Sequence, residues 1–238
     1  MSGDRNLAAD LGGVALVGVA VLVAADHPAV MWAAVLAGTM LASALRRDGA
    51  AGVAFLGVCA VLGASNDWNS VTNHRIYDYT VALEAPALSL VPLWMLAFWG
   101  LVLRTTADLY SWDRLALGTP TLGPVGVGVL IALVLATRQA IYVWFLDPVW
   151  SWAPFAAALA VAAMLGLGAR RWLVALAVGV IGTAVEAVFI RSGGLHAYHL
   201  GVFGGVPVWI SLWWVLGGLA WSEVAPRLAR GVADPGHE

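Results

Sequence analysis

The sequence predicts an all-α, polytopic membrane bundle with about eight spans. Three observations carry that prediction. Hydrophobic residues fill 61% of the 238 positions and charged residues 11%, against roughly 45–50% and about 25% in soluble domains. A soluble chain of this length has no core large enough to hide so much apolar surface, so lipid must solvate part of it. The apolar runs are continuous rather than alternating, which selects helices over a barrel as the way to satisfy the backbone in hydrocarbon.

Chemical punctuation bounds each predicted span. Residues 11–26 and 29–45 are separated by Asp26-His27-Pro28, and Arg46-Arg47-Asp48-Gly49 precedes residues 51–66. A polar stretch then leads to 85–103. Residues 122–145 end near Asp147-Pro148, residues 151–168 end before Arg170-Arg171, and 172–190 and 205–225 complete the set. Each is near or slightly below the ~20 residues a crossing needs. The first is read as a span rather than a secretory signal, because Asp4 and Asp10 stand beside Arg5 at its start.

Threading eight spans puts Arg5, Arg46, Arg47, Arg104, Arg114, Arg170, Arg171, Arg227 and Arg230 on one side. Arg75 and Arg191 fall on the other, and Arg138 falls within a span. The positive-inside rule then expects a plasma-membrane protein of bacterial type with both termini cytoplasmic.

The two halves also resemble each other. Val91-Pro92-Leu93-Trp94 followed by Phe98-Trp99 matches Val206-Pro207-Val208-Trp209 followed by Trp213-Trp214. Ile76-Tyr77-Asp78-Tyr79 matches Leu195-His196-Ala197-Tyr198, and Arg46-Arg47 matches Arg170-Arg171. The expectation is a single membrane domain made of a first repeat, 1–115, and a second, 116–230, with a cytoplasmic tail at 231–238. Four spans per half makes the repeats parallel, with a site at their interface.

Composition removes several chemistries. All 12 basic residues are arginine, which excludes a retinal Schiff base and covalent lysine chemistry. Cys59 is the sole cysteine, so there is neither an internal disulfide nor a thiolate cluster. A net charge of −2 offers nothing to a nucleic acid. His196 and His199 are three apart, but no further histidine cluster or Glu-x-x-His completes a metal site. No metal or cofactor is expected.

Polarity collects in the predicted extracytoplasmic half. One cluster holds Asp67, Asn69, Tyr77 and Asp78 with Trp68 interleaved; a second holds Glu186, Arg191, His196 and Tyr198. Glu186 lies about one turn inside an apolar segment. A carboxyl at that depth must pair, face a cavity or stay protonated, and a protonated acid in an apolar pocket suits acid catalysis on a hydrocarbon. The alternative is a structural pair with Arg138 or Arg191. Arg138 is likewise either an anchor for a diphosphate or carboxylate, using its planar fork, or a counter-ion for Glu186 or Asp67. The stripes Trp94, Phe98, Trp99 and Trp209, Trp213, Trp214 recur at helical spacing. They are either packing or the π-faces of a pocket that stabilises cations.

The run Glu186, Arg191-Ser192-Gly193, Tyr198, Gly204-Gly205-Val206-Pro207 and Trp213 resembles membrane carotenoid-biosynthesis proteins of the bisanhydrobacterioruberin hydratase and lycopene cyclase domain type. Asp67 through Pro92-Leu93-Trp94 and Phe98-Trp99 is similar in the same way. Lycopene cyclase domains carry paired carboxylates just after the helix proline, where this chain has Trp94-Met95 and Trp209-Ile210. Size and aromatic content also resemble the small membrane-bound terpene cyclases. These resemblances imply metal-free, non-redox, proton-initiated chemistry on an isoprenoid substrate. On that reading Glu186 or Asp67 is the general acid and Asp78 or a histidine the terminating base. Trp94, Trp99, Trp209 and Trp213, with Trp68, Asn69, Tyr77, His196 and Tyr198, would bind substrate, and Arg138 and Arg191 would contact it and tune the acids. A small-molecule or ion transporter with its site between the repeats is the alternative.

Overall fold

The computed structural model describes residues 2–24, 26–80, 87–88, 90–117 and 119–233. The described residues form eight α-helices: α1 (Ser2–Ala24), α2 (Pro28–Arg46), α3 (Ala50–Trp68), α4 (Trp94–Ser111), α5 (Pro124–Trp144), α6 (Ala153–Ala163), α7 (Ala169–Gly193) and α8 (Val208–Ala233). A π-helical turn, Asn69–Asn73, extends α3. A 3-10 turn, Asp113–Leu115, follows α4, and there are four short strands: β1 (Tyr77–Tyr79), β2 (Ala87–Leu88), β3 (Val91–Pro92) and β4 (His196–Tyr198).

Six helical stretches are long and apolar enough to cross a bilayer: Gly3–Ala24, Ala29–Arg46, Ala50–Asn73, Pro124–Trp144, Ala169–Gly193 and Val208–Val232. Their outward faces carry large apolar side chains, with Val23, Met40, Val125 and Val143 exposed, which water would not tolerate and lipid does. The other two helices do not reach that length and apolarity. α6 has 11 residues, about 17 Å of helix against a hydrocarbon core of about 30 Å. α4 carries Arg104 and Asp108 in its 18 residues.

The span expected at 85–103 is displaced toward the C-terminus. The β2–β3 hairpin occupies its start and the helix begins only at Trp94, just after Pro92, which has no N–H to give and a fixed φ. Residues 81–86 and 89 lie outside the described residues.

α8 is the hub, packing on α3, α4, α5, α6 and α7, while α1 packs on α2 and α4. Glycines set the closest approaches. A Cβ on Gly63 would sit 2.5 Å from Trp99 Cβ, and one on Gly182 would sit 2.6 Å from the Trp214 ring. Without lipid-driven hydrophobic association, such close backbone packing is what joins membrane helices. Gly182→Leu is therefore expected to cost about 1–3 kcal/mol of stability through overpacking and to move Trp214 off its partner. Thermal unfolding and the Trp emission maximum would check this; an unchanged melting point would show that α7 and α8 slide apart freely.

The bundle end formed by the α4 and α8 C-termini is ionic. Arg104, fully buried, donates from Nη2 to Asp10 Oδ1 at 2.7 Å and from Nη1 to Asp48 Oδ2 at 2.7 Å. Arg46 pairs with Asp10, Asp48 and Asp108. Nearby, buried Glu223 pairs with Arg171 and Arg227 and accepts from the backbone N–H groups of Thr121 and Leu122. Pro226 lies inside α8 and cannot donate to the Ser222 carbonyl; Arg171 Nη1 bonds that carbonyl instead, at 3.4 Å. Arg75 and Arg191 sit at the opposite end, beside the β1–β4 ribbon.

Candidate functional site

The last turn of α3 and the C-terminal third of α7 each point a carboxyl toward the aromatic stripes of α4 and α8. On α3, Asp67 is 3% exposed. Its Oδ1 accepts from Tyr77 Oη at 2.8 Å, and its Oδ2 accepts from Tyr79 Oη at 2.7 Å and Trp99 Nε1 at 2.8 Å. On α7, Glu186 Oε2 accepts from Tyr198 Oη at 2.7 Å and Oε1 from Trp214 Nε1 at 2.8 Å. His196 Nε2 lies 3.8 Å from Glu186 Oε2. Among the described residues no arginine reaches either carboxyl. Trp99 and Trp214 stack on each other, 5.7 Å between centroids and 24° apart in plane, so the two acids flank one indole pair.

The phenol donors come from the β1–β4 ribbon. Its antiparallel register sets Tyr77 opposite Tyr198 and Tyr79 opposite His196. Side chains alternate along a strand, so Tyr77, Tyr79, His196 and Tyr198 share the inner face and pack ring against ring, 5.0–6.2 Å apart. Burial first, and then the neighbouring carboxyl, push the phenols of Tyr77, Tyr79 and Tyr198 well above the ordinary tyrosine value. All three stay protonated and remain donors.

These groups line a cavity of about 250 Å³. Asp67, Glu186, Arg138, Tyr77, Trp94, Trp99, His196, Tyr198, Trp209 and Trp213, ten of the residues expected from sequence, reach it. From Met95 to Leu109 the α4 side of the cavity is lined down the helix, and Leu7, Leu11 and Val14 of α1 face Val178, Ile181 and Val185 of α7 across it. Thr105 and Thr106 on this wall bond their own helix carbonyls, so their hydroxyls already have partners. The result is an apolar slot about 21 Å long with its polar groups gathered at one end.

Four expected residues lie elsewhere. Asp78 is a correction to the terminating-base expectation. The two-residue alternation that sends Tyr77 and Tyr79 inward sends Asp78 outward, where it is half exposed and 3.8 Å from Arg75. Arg191 is exposed on the last turn of α7 and, among the described residues, makes no ion pair with either acid. Trp68 packs against the core outside the cavity. Asn69 donates to Tyr142 Oη at 2.7 Å and accepts from Asn73. The expected pairing of Arg138 with Glu186 or Asp67 is also absent: Arg138 bonds Ser70 instead. Three participants were missed as site residues, namely Tyr79, Trp214 and Ser70. Gly63-x-x-x-Asp67 and Gly182-x-x-x-Glu186 were the available signal for Trp214, since a glycine one turn before each acid admits the indole that bonds it.

Neither the family models nor the curated proteins compared include a match to this chain. Among solved structures, it is similar to a protein described as a cross-linked MvINS trimer, with a TM-score of 0.58 and 26% sequence identity. The likeness covers 77% of this chain and 96% of that one.

Proposed function

We propose that the protein is a membrane-embedded acid catalyst, a cyclase or hydratase acting on an isoprenoid chain. One observation carries the reading: two carboxyls, bonded by indole and phenol rather than by arginine, face an elongated apolar cavity walled by tryptophan. Proton transfer from Glu186 to a substrate alkene uses the π pair to form a C–H bond and leaves a carbocation and a carboxylate. The Trp214 N–H and Tyr198 O–H stabilise that carboxylate, since hydrogen bonds to the charged form favour it. The paired indole faces stabilise the cation. Loss of a carbon-bound proton to the carboxylate or His196 ends a cyclisation. Water attack, with its surplus proton returned to the carboxylate, ends a hydration. Asp67 is the second acid.

The reading includes two parallel repeats. Gly63, Asp67, Tyr79 and Trp99 correspond to Gly182, Glu186, Tyr198 and Trp214. It also sets the ionic end in the cytoplasm, by the positive-inside rule.

Membranes containing the protein, incubated in D2O, test the chemistry. Extracted isoprenoids should gain carbon-bound deuterium, with a mass shift for each proton-initiated event, over membranes lacking the protein. Absence of that label, together with protein-dependent movement of solute across vesicles, would replace catalysis with transport.

A further inference from the structure

The guanidinium of Arg138 is 5% exposed and lines the polar end of the cavity. Its Cζ lies 5.1 Å from the Tyr142 ring centroid and 5.0 Å from that of Trp213. Nη2 donates to Ser70 Oγ, while Nε is buried with no partner. Among the described residues no carboxylate oxygen comes within 4 Å of it. The two acids on the same lining give their oxygens to Tyr77, Tyr79, Trp99, Tyr198 and Trp214. A full charge withdrawn from water without a counter-ion is strongly disfavoured, and two flanking rings offset only part of that. The remaining N–H donors of a guanidinium suit a planar or tetrahedral oxyanion.

What distinguishes this cation from a plain anion site is the slot that continues from it. Beyond the polar end, Val102 and Leu109 of α4, Leu11 of α1 and Ile181 of α7 offer only apolar surface. We infer that the cavity takes a single-chain lipid with an anionic oxyanion head, phosphate or carboxylate, held on Arg138 with its chain laid along α4. The ligand thus enters in one orientation, head beside the Asp67–Glu186 end. Binding of such a lipid requires no proton transfer, so it stands or falls apart from the acid chemistry.

Purified full-length protein in nanodiscs is titrated with dodecyl phosphate, dodecanoate, dodecanol and inorganic phosphate, read by tryptophan fluorescence. Both anionic amphiphiles should bind saturably and at least tenfold tighter than dodecanol, and inorganic phosphate should bind far more weakly than dodecyl phosphate. Arg138→Gln should reduce the anionic amphiphiles to the affinity of the alcohol; Arg191→Gln, outside the cavity, should not. Equal affinity of the wild type for dodecanol and dodecyl phosphate overturns the inference whether or not Arg138→Gln folds. So does inorganic phosphate binding as tightly as the amphiphile, which would make this a free-anion site. Glu186→Gln should keep the anion preference while losing deuterium incorporation, so failure of one proposal leaves the other standing.

Discussion

Replacing Glu186 by Gln is expected to lower proton-initiated turnover by about 10²–10⁴-fold, the contribution of one positioned general acid, with the amount of folded protein unchanged. Gln is nearly isosteric, and its amide oxygen still accepts from Trp214 Nε1, which holds Glu186 at 2.8 Å. What is lost is the transferable proton. Asp67→Asn separates the two acids. Asp67 accepts three hydrogen bonds, including that of Trp99, where Glu186 accepts two. An amide at that site presents an NH2 to donors on one side, so the Asp67→Asn substitution should destabilise the β1–β4 ribbon as well as slow turnover. The deuterium assay with matched protein levels checks both variants. Full turnover by Glu186→Gln would remove Glu186 as the acid.

The largest stability effect is expected at the opposite end of the bundle. Arg104→Met should cost about 3–5 kcal/mol, the usual result of deleting one partner from a buried ionic group. Arg104 and Asp10 are both 0% exposed, and the loss strips Asp10 of two hydrogen bonds. It also unties α1 and the α2–α3 turn from α4, because Asp48 loses its 2.7 Å bond as well. Arg114→Met offers the contrast. Arg114 pairs with Asp4 at 2.8 Å, but both are exposed, so solvent screens the pair and its loss should lower the melting point far less than Arg104→Met. Thermal unfolding monitored by size exclusion would rank the two; equal melting points would mean the ionic end does not hold the helices together.

Several site residues were legible in the sequence because burying them is costly. A carboxyl such as Glu186 in an apolar run, or Arg138 within a predicted span, announces itself by composition, whatever its partners turn out to be. The β1–β4 pairing could be anticipated only as a resemblance between 76–79 and 195–198. That the two segments meet as strands, and so send Asp78 outward while Tyr77 and Tyr79 turn in, is decided by contact between residues more than a hundred positions apart. The helix expected over 85–103 begins only at Trp94, after Pro92, and of the eight helices six are long and apolar enough to cross, α6 being short and α4 carrying Arg104 and Asp108.

By itself the sequence determined the solvent. Continuous apolar runs, with arginine and aspartate, Arg138 apart, gathered toward their ends, demand helices in lipid however those helices pack, because the cost of exposing apolar groups to water, or backbone amides to lipid, depends only on the local chain. Tertiary structure decided the pairings: Trp99 and Trp214 stacked between the acids, and Arg138 set against Ser70 and two rings instead of a carboxylate. Those choices follow from close helix approach at Gly63 and Gly182 and from strand register, and neither is encoded in any one segment.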